Sequence, residues 1–164
     1  MRAVRFLILM VLAFGIASCG HNKFKAYNGP SVTQIQVYKS RRIMYLMHDH
    51  TLLASYRIYL GANPTGAKQF EGDGKTPEGL YYIDRRNPQS SFHLSLGISY
   101  PNDKDKAAAE AAGESPGGDI FIHGESGRAT KQSDWTAGCI AVSNKDIEDV
   151  YAMVRDGTPI FLMP

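Results

Sequence analysis

Two stretches, Asp119-Ile120-Phe121-Ile122-His123-Gly124 and, beyond a polar loop, Thr136-Ala137-Gly138-Cys139-Ile140-Ala141-Val142, decide how this chain folds and what it does. Each contains a short apolar run of strand length. The first run delivers His123 at its end and the second starts at Cys139, the places where a rigid scaffold hands side chains to loops. A cysteine served by a histidine is a strong nucleophile. The pair therefore predicts acyl transfer, with Cys139 attacking and His123 moving the proton to the leaving group. Gly138 lets backbone approach a substrate, so the N–H groups around Gly138 and Cys139 are candidates for holding an oxyanion, with Gly124 and Thr136 as positioning residues. The second ring nitrogen of His123 needs an acceptor, and a backbone carbonyl, Thr136, Ser133 and Asp134 all remain open.

Outward from this pair the pattern is mainly β. Gln34 to Lys39 alternates polar and apolar residues, Ile43 to Met47 follows, and Leu52 to Leu60 alternates again after His48-Asp49-His50, which predicts a meander of hairpins. Gly61 to Gly79 is irregular and rich in Gly, Pro, Asp and Lys, a length of loop that in compact domains carries function or stays disordered. Leu80 to Ile83, Phe92 to Ile98, Asp119 to Ile122, Cys139 to Val142 and Pro159 to Met163 read as further strands. Lys104 to Ala112 reads as a short surface helix. Asn144 is a plausible N-cap for a second helix, Lys145 to Arg155, with Ile147, Val150, Tyr151 and Val154 on one face.

The N-terminus predicts export. Arg2 and Arg5 precede an apolar run from Phe6 to Ile16 that ends at Ala17 and Ser18, the pattern of a signal peptide over residues 1–18. That run falls short of the roughly 20 residues a membrane-spanning helix needs. Ile16-Ala17-Ser18-Cys19 resembles a bacterial lipobox, which makes Cys19 the expected lipidation site and residues 19–30 a tether to a membrane. Gly20 after that cysteine favours the outer membrane, facing the periplasm. Cys19 and Cys139 are the only cysteines. Lipidation of Cys19 would leave Cys139 an unpaired thiol in an oxidising compartment, which favours a reactive role. Residues 31–164 suit one domain with a single core, and a net charge of +2 without a basic block gives no footprint for nucleic acid.

His123-Gly124, a gap of 16 positions to the cysteine, Thr136-x-Gly138-Cys139-Ile140, Asn144, Asp146-Ile147 and Gly157-Thr158-Pro159 together resemble the L,D-transpeptidase catalytic domain (YkuD type) of bacterial cell-wall enzymes. The likeness extends to Gly72-Asp73-Gly74-Lys75-Thr76-Pro77-Glu78-Gly79. It implies a β-sandwich-like fold with two or three short helices, no cofactor, and a cysteine acyl-enzyme on peptidoglycan stem peptides. The acyl group then passes to an amine, or to water in a carboxypeptidase. Many relatives carry Arg two residues after the cysteine, where this chain has Ala141, and Arg128, Arg85 and Lys68 are the candidate replacements. Trp135 reads as a core anchor or a wall of the substrate groove, and Arg128 and Asn144 as further groove residues. Two rival readings remain. A silent peptidoglycan-binding module has no need of His123 and Cys139 together, and a zinc hydrolase would call for paired metal-ligand spacing that is missing here. His48 and His50 read as solvated turn residues, and His93 as part of a strand.

Overall fold

The computed structural model describes residues 22–125 and 133–164, so the expected signal peptide, Cys19 and Arg128 lie outside the described residues. The strands are β1 (Gln34–Tyr38), β2 (Ile43–His48), β3 (Thr51–Arg57), β4 (Gly79–Asn87), β5 (Ser95–Ile98), β6 (Phe121–His123), β7 (Ile140–Ala141) and β8 (Pro159–Met163), with helices α1 (Asp103–Ala111) and α2 (Asn144–Met153). They join in the order β3-β2-β1-β8-β4-β5-β6-β7. The fold is mainly β with two helices among the described residues, as the patterning predicts.

Period-two alternation places one face of each strand inward. Ile35 and Val37 of β1 stand opposite Leu46 and Met44 of β2, and opposite Ile160 and Leu162 of the parallel strand β8. All six are buried in one core with Ile83, Leu96, Ile98, Ile122 and Ile140. The long strand β4 pairs with β8 at its start and with β5 at its end, and the register shifts between Ile83 and Arg85 where it passes from one half to the other. The sheet then curls until Tyr59, just past β3, exchanges two backbone hydrogen bonds of 2.8 Å with Ala141. That contact covers the outer edge of β7, which would otherwise be open to pairing.

Several boundaries differ from those predicted. Ser143, not Asn144, caps α2: its hydroxyl accepts from the Asp146 N–H at 3.1 Å. Both residue types cap helices well, so only the fold ranks them. Asn144 instead spends its side chain on the Glu125 N–H, at 2.8 Å. The helix stops at Met153, and β4 runs on to Asn87 instead of ending at Ile83. The strand predicted from Phe92 begins at Ser95, which leaves His93 in a loop with a left-handed φ of 72°.

The irregular segment 61–78 is held from within. The buried Lys39 ammonium donates to the Gly66 and Thr76 carbonyls and to Glu78, which satisfies all three of its protons. Asp73 accepts from Lys68 and from the N–H groups of Gln69, Phe70 and Lys75. The Lys68–Asp73 pair is 2.9 Å long and nearly fully buried on both sides.

Candidate active site

Cys139 and His123 come to one cavity because β6 and β7 run parallel, with Ile122 opposite Ile140 and His123 opposite Ala141. The register carries Cys139, just before β7, level with Phe121, two positions before His123 on the neighbouring strand. Both line one cavity of about 290 Å³ with Asn87, Ser90, Ser91, Phe92, Ser95, Asp119 and Phe121. A second cavity of about 420 Å³, walled by Lys68, Glu71, Gly72, Gly117, Gly118, Asp119, Ile120 and Ala137, also ends at Cys139. The thiol is thus approached from two sides.

His123 is oriented by its neighbour. Nδ1 lies 2.7 Å from the Gly124 carbonyl oxygen. A carbonyl only accepts, so the ring proton sits on Nδ1 and Nε2 carries the lone pair of a base. A backbone carbonyl is therefore the acceptor, while Asp134 and Thr136 are engaged elsewhere. Asp134 pairs with the Arg42 guanidinium at 2.6 Å and accepts from the Leu60 N–H. Phe92 stacks on the imidazole with ring centroids 4.4 Å apart, and Trp135 meets it edge-on at 5.6 Å. Between these rings His123 is 3% exposed. Burial lowers its proton affinity below the ordinary imidazole value, against a smaller opposing effect of the Gly124 hydrogen bond.

Burial pushes the Cys139 thiol up, outweighing the Phe121 N–H and the Lys68 charge, which favour the thiolate. Both shifts favour the neutral forms, thiol for Cys139 and imidazole for His123. Sγ meanwhile contacts the Asp119 carbonyl at 3.5 Å. Asp119 is itself left-handed, at φ 53°, a cost that Asp bears better than most residues and that gathers at functional sites.

The turn before Cys139 is fixed by Thr136, whose hydroxyl donates to the Cys139 carbonyl at 2.7 Å and accepts from the Gly138 N–H at 3.1 Å. That N–H is spent inside the turn, so the part Gly138 plays is conformational. Its φ is 133°, and a Cβ there would stand 2.6 Å from the Lys75 carbonyl oxygen. Gly124 is equally confined, since a Cβ would meet the Asn144 side-chain oxygen at 2.5 Å. Asn144 and Trp135, predicted as groove residues, line neither cavity. They brace the His123-Gly124 turn from behind instead.

Of the predicted replacements for the missing arginine, Lys68 is bound to Asp73, and Arg85 pairs with Asp119 at 3.0 Å and lies over the Phe121 ring. Ala141 is fully buried, and its backbone is bridged to Tyr59. Phe92, Asp119 and Phe121 are site residues that the sequence reading missed. Only Asp119 carried a signal, as an αL-tolerant residue after Gly117-Gly118. His48 ends β2 and Asp49 and His50 form the predicted turn, and among the described residues no group of three His, Cys, Asp or Glu side chains could hold a metal ion.

Comparison with known proteins gives this site its context. The chain is 30% identical over 140 residues to the protein named "Putative L,D-transpeptidase YafK" of Escherichia coli K12, covering 82% of this chain and 51% of that one. The K307A mutant of the helical cell shape determining protein Pgp2 from Campylobacter jejuni superposes with a TM-score of 0.63 at 26% identity, over 86% of this chain and 50% of that one. Bd1075 of Bdellovibrio bacteriovorus shares the fold, with a TM-score of 0.59 at 22% identity over 85% and 50% of the two chains. This chain thus spans about half the length of these relatives. The model of the L,D-transpeptidase catalytic domain, YkuD, matches residues 33–162, and the chain belongs to that family.

Proposed function

We propose that this chain is a peptidoglycan L,D-transpeptidase that works through an acyl-enzyme on Cys139. The observation that carries the reading is the meeting of two cavities at one thiol, beside a histidine whose Nδ1 is capped by a carbonyl. One cavity takes the acyl donor and the other the acceptor. Nε2 of His123 removes the thiol proton as Sγ attacks the carbonyl of the diamino acid at stem position three. The Cys139 N–H, presented by the turn that Thr136 and Gly138 shape, is our assigned donor to the oxyanion. Nε2–H then protonates the departing D-Ala amine and a thioester remains. An incoming amine gives up its proton to Nε2, attacks the thioester carbonyl and expels the thiol. Water in the same position makes the enzyme an L,D-carboxypeptidase.

Incubation with a defined tetrapeptide muropeptide, alone and with an amine acceptor, tests this by product mass. Crosslinked or amine-exchanged product is the expected outcome, and trimmed tripeptide alone assigns water as the acceptor. Intact mass after exposure to a carbapenem should show one adduct on Cys139, and none on Cys139→Ser. Turnover at the wild-type rate by Cys139→Ser would overturn the assignment. The N-terminal pattern further supports an exported lipoprotein anchored at Cys19, facing the periplasm from the outer membrane.

A further inference from the structure

Residues 22–30 precede the family-matched domain and yet are built onto it. Lys23, Lys25 and Tyr27 are half-buried, whereas Asn22, Phe24, Ala26 and Asn28 between them are exposed. This period of two marks an extended segment with one face on the protein. The Lys23 ammonium donates to the Pro88 carbonyl at 2.7 Å and to the His93 carbonyl at 2.9 Å. Those carbonyls bracket the connection between β4 and β5, so a single cation closes that loop at both ends.

The bracketed loop is a wall of the active site. Ser90, Ser91 and Phe92 line the cavity that holds His123, and Phe92 covers the imidazole. The Phe92 carbonyl accepts the Gly124 N–H at 3.0 Å, which ties the loop to the carbonyl-bearing residue that orients His123. His93 is held in its left-handed conformation with Nε2 2.8 Å from Glu148 of α2. Glu148 is buried and is also reached by Lys25 at 3.4 Å, and Lys25 in turn holds Asp149 at 2.7 Å.

We infer that Lys23 is a positioning residue of the active site, with Lys25, His93 and Glu148 behind it: the strap sets the β4–β5 loop so that Phe92 stays seated on His123. A surface ammonium adds little to global stability. Two carbonyls on one cation do, however, restrict local opening of a short loop, and local opening is what would uncover the imidazole. A wetted imidazole regains proton affinity, and a shifted Phe92 deforms the cavity that holds His123. This rests on the reading of His123 as the base, but its central observable does not.

The test compares full-length wild type with Lys23→Met and Lys23→Arg. His123 is titrated by NMR, kcat/KM is measured against pH on a tetrapeptide muropeptide, and Tm is recorded. Cys139 and Asp119, the titratable groups that share the cavity with His123, are the same in all three proteins. In Lys23→Met the His123 titration should move to higher pH, and kcat/KM at acid pH should fall roughly tenfold with Tm nearly unchanged. Lys23→Arg, which keeps the charge and the donors, should behave as wild type. An unmoved His123 titration in Lys23→Met, or an equal defect in Lys23→Arg, overturns the inference. If no variant turns over the muropeptide, the proposed function fails while the NMR titration still decides the strap.

Discussion

Burial acts in opposite senses on the two side chains proposed to react, up for the Cys139 thiol and down for the His123 imidazole, and both effects favour the neutral pair. His123 must be unprotonated to act as a base. Because its affinity for protons is lowered, kcat/KM should hold below the ordinary imidazole value of about 6.5 and decline only at more acid pH. A pH–rate profile whose acid limb lies above about 6.5 would contradict the buried, ring-covered histidine. Thr136 supports a second expectation. Thr136→Val keeps the shape of the side chain but removes both bonds of the turn, leaving the Gly138 N–H unpaired, and should lower stability by about 1–3 kcal/mol. Thr136→Ser keeps the hydroxyl and should recover most of the loss in a denaturant titration. Gly138→Ala faces both a φ of 133° and the Lys75 carbonyl, so it should abolish carbapenem acylation in an intact-mass assay even where the protein folds.

Among the elements, the connection 61–78 supplies Lys68, Glu71 and Gly72 to the wall of the second cavity at Cys139. Burial tends to raise the Asp73 carboxyl, but the N–H groups of Gln69 and Lys75, the Lys68 ammonium and the Phe70 N–H together hold it lower than usual. A depressed carboxyl stabilises the fold above its unfolded titration range, and that contribution is lost as the pH falls through its folded value. Asp73→Asn leaves Lys68 buried and uncompensated, and should cost about 3 kcal/mol in thermal or urea unfolding. The double change Lys68→Met with Asp73→Leu should cost less, since it removes both charges together. The meander β1–β3 was legible because its alternation is long and its partners are adjacent in sequence. Strand β7, with only two residues, is stabilised by parallel pairing to β6 and by Tyr59, neither of which a local pattern reveals. That His123 and Cys139 share a cavity was legible from their chemistry. Phe92 was not, because it is an ordinary apolar residue until the β4–β5 loop folds back on the imidazole. Lys68 reads in sequence as a stand-in for the missing arginine and Asp73 as one residue of the family-like loop, because no local pattern shows that the two bury each other.

For the molecule as a whole, the proposed anchor at Cys19 can be separated from catalysis. Cys19→Ala should appear soluble or unprocessed in cell fractionation and lose acyl-chain label, while purified protein keeps carbapenem acylation at Cys139. Label-free wild type in the soluble periplasmic fraction would reject the anchor and leave the chemistry standing. The strap then sets a height. With Lys23 fastened to the Pro88 and His93 carbonyls, an acylated Cys19 would leave four residue steps between lipid and domain. Fully extended, at no more than about 3.6 Å per residue, that leash measures roughly 14 Å. The enzyme would ride close against the bilayer and would not sweep the periplasm, working on the wall strands nearest its own membrane.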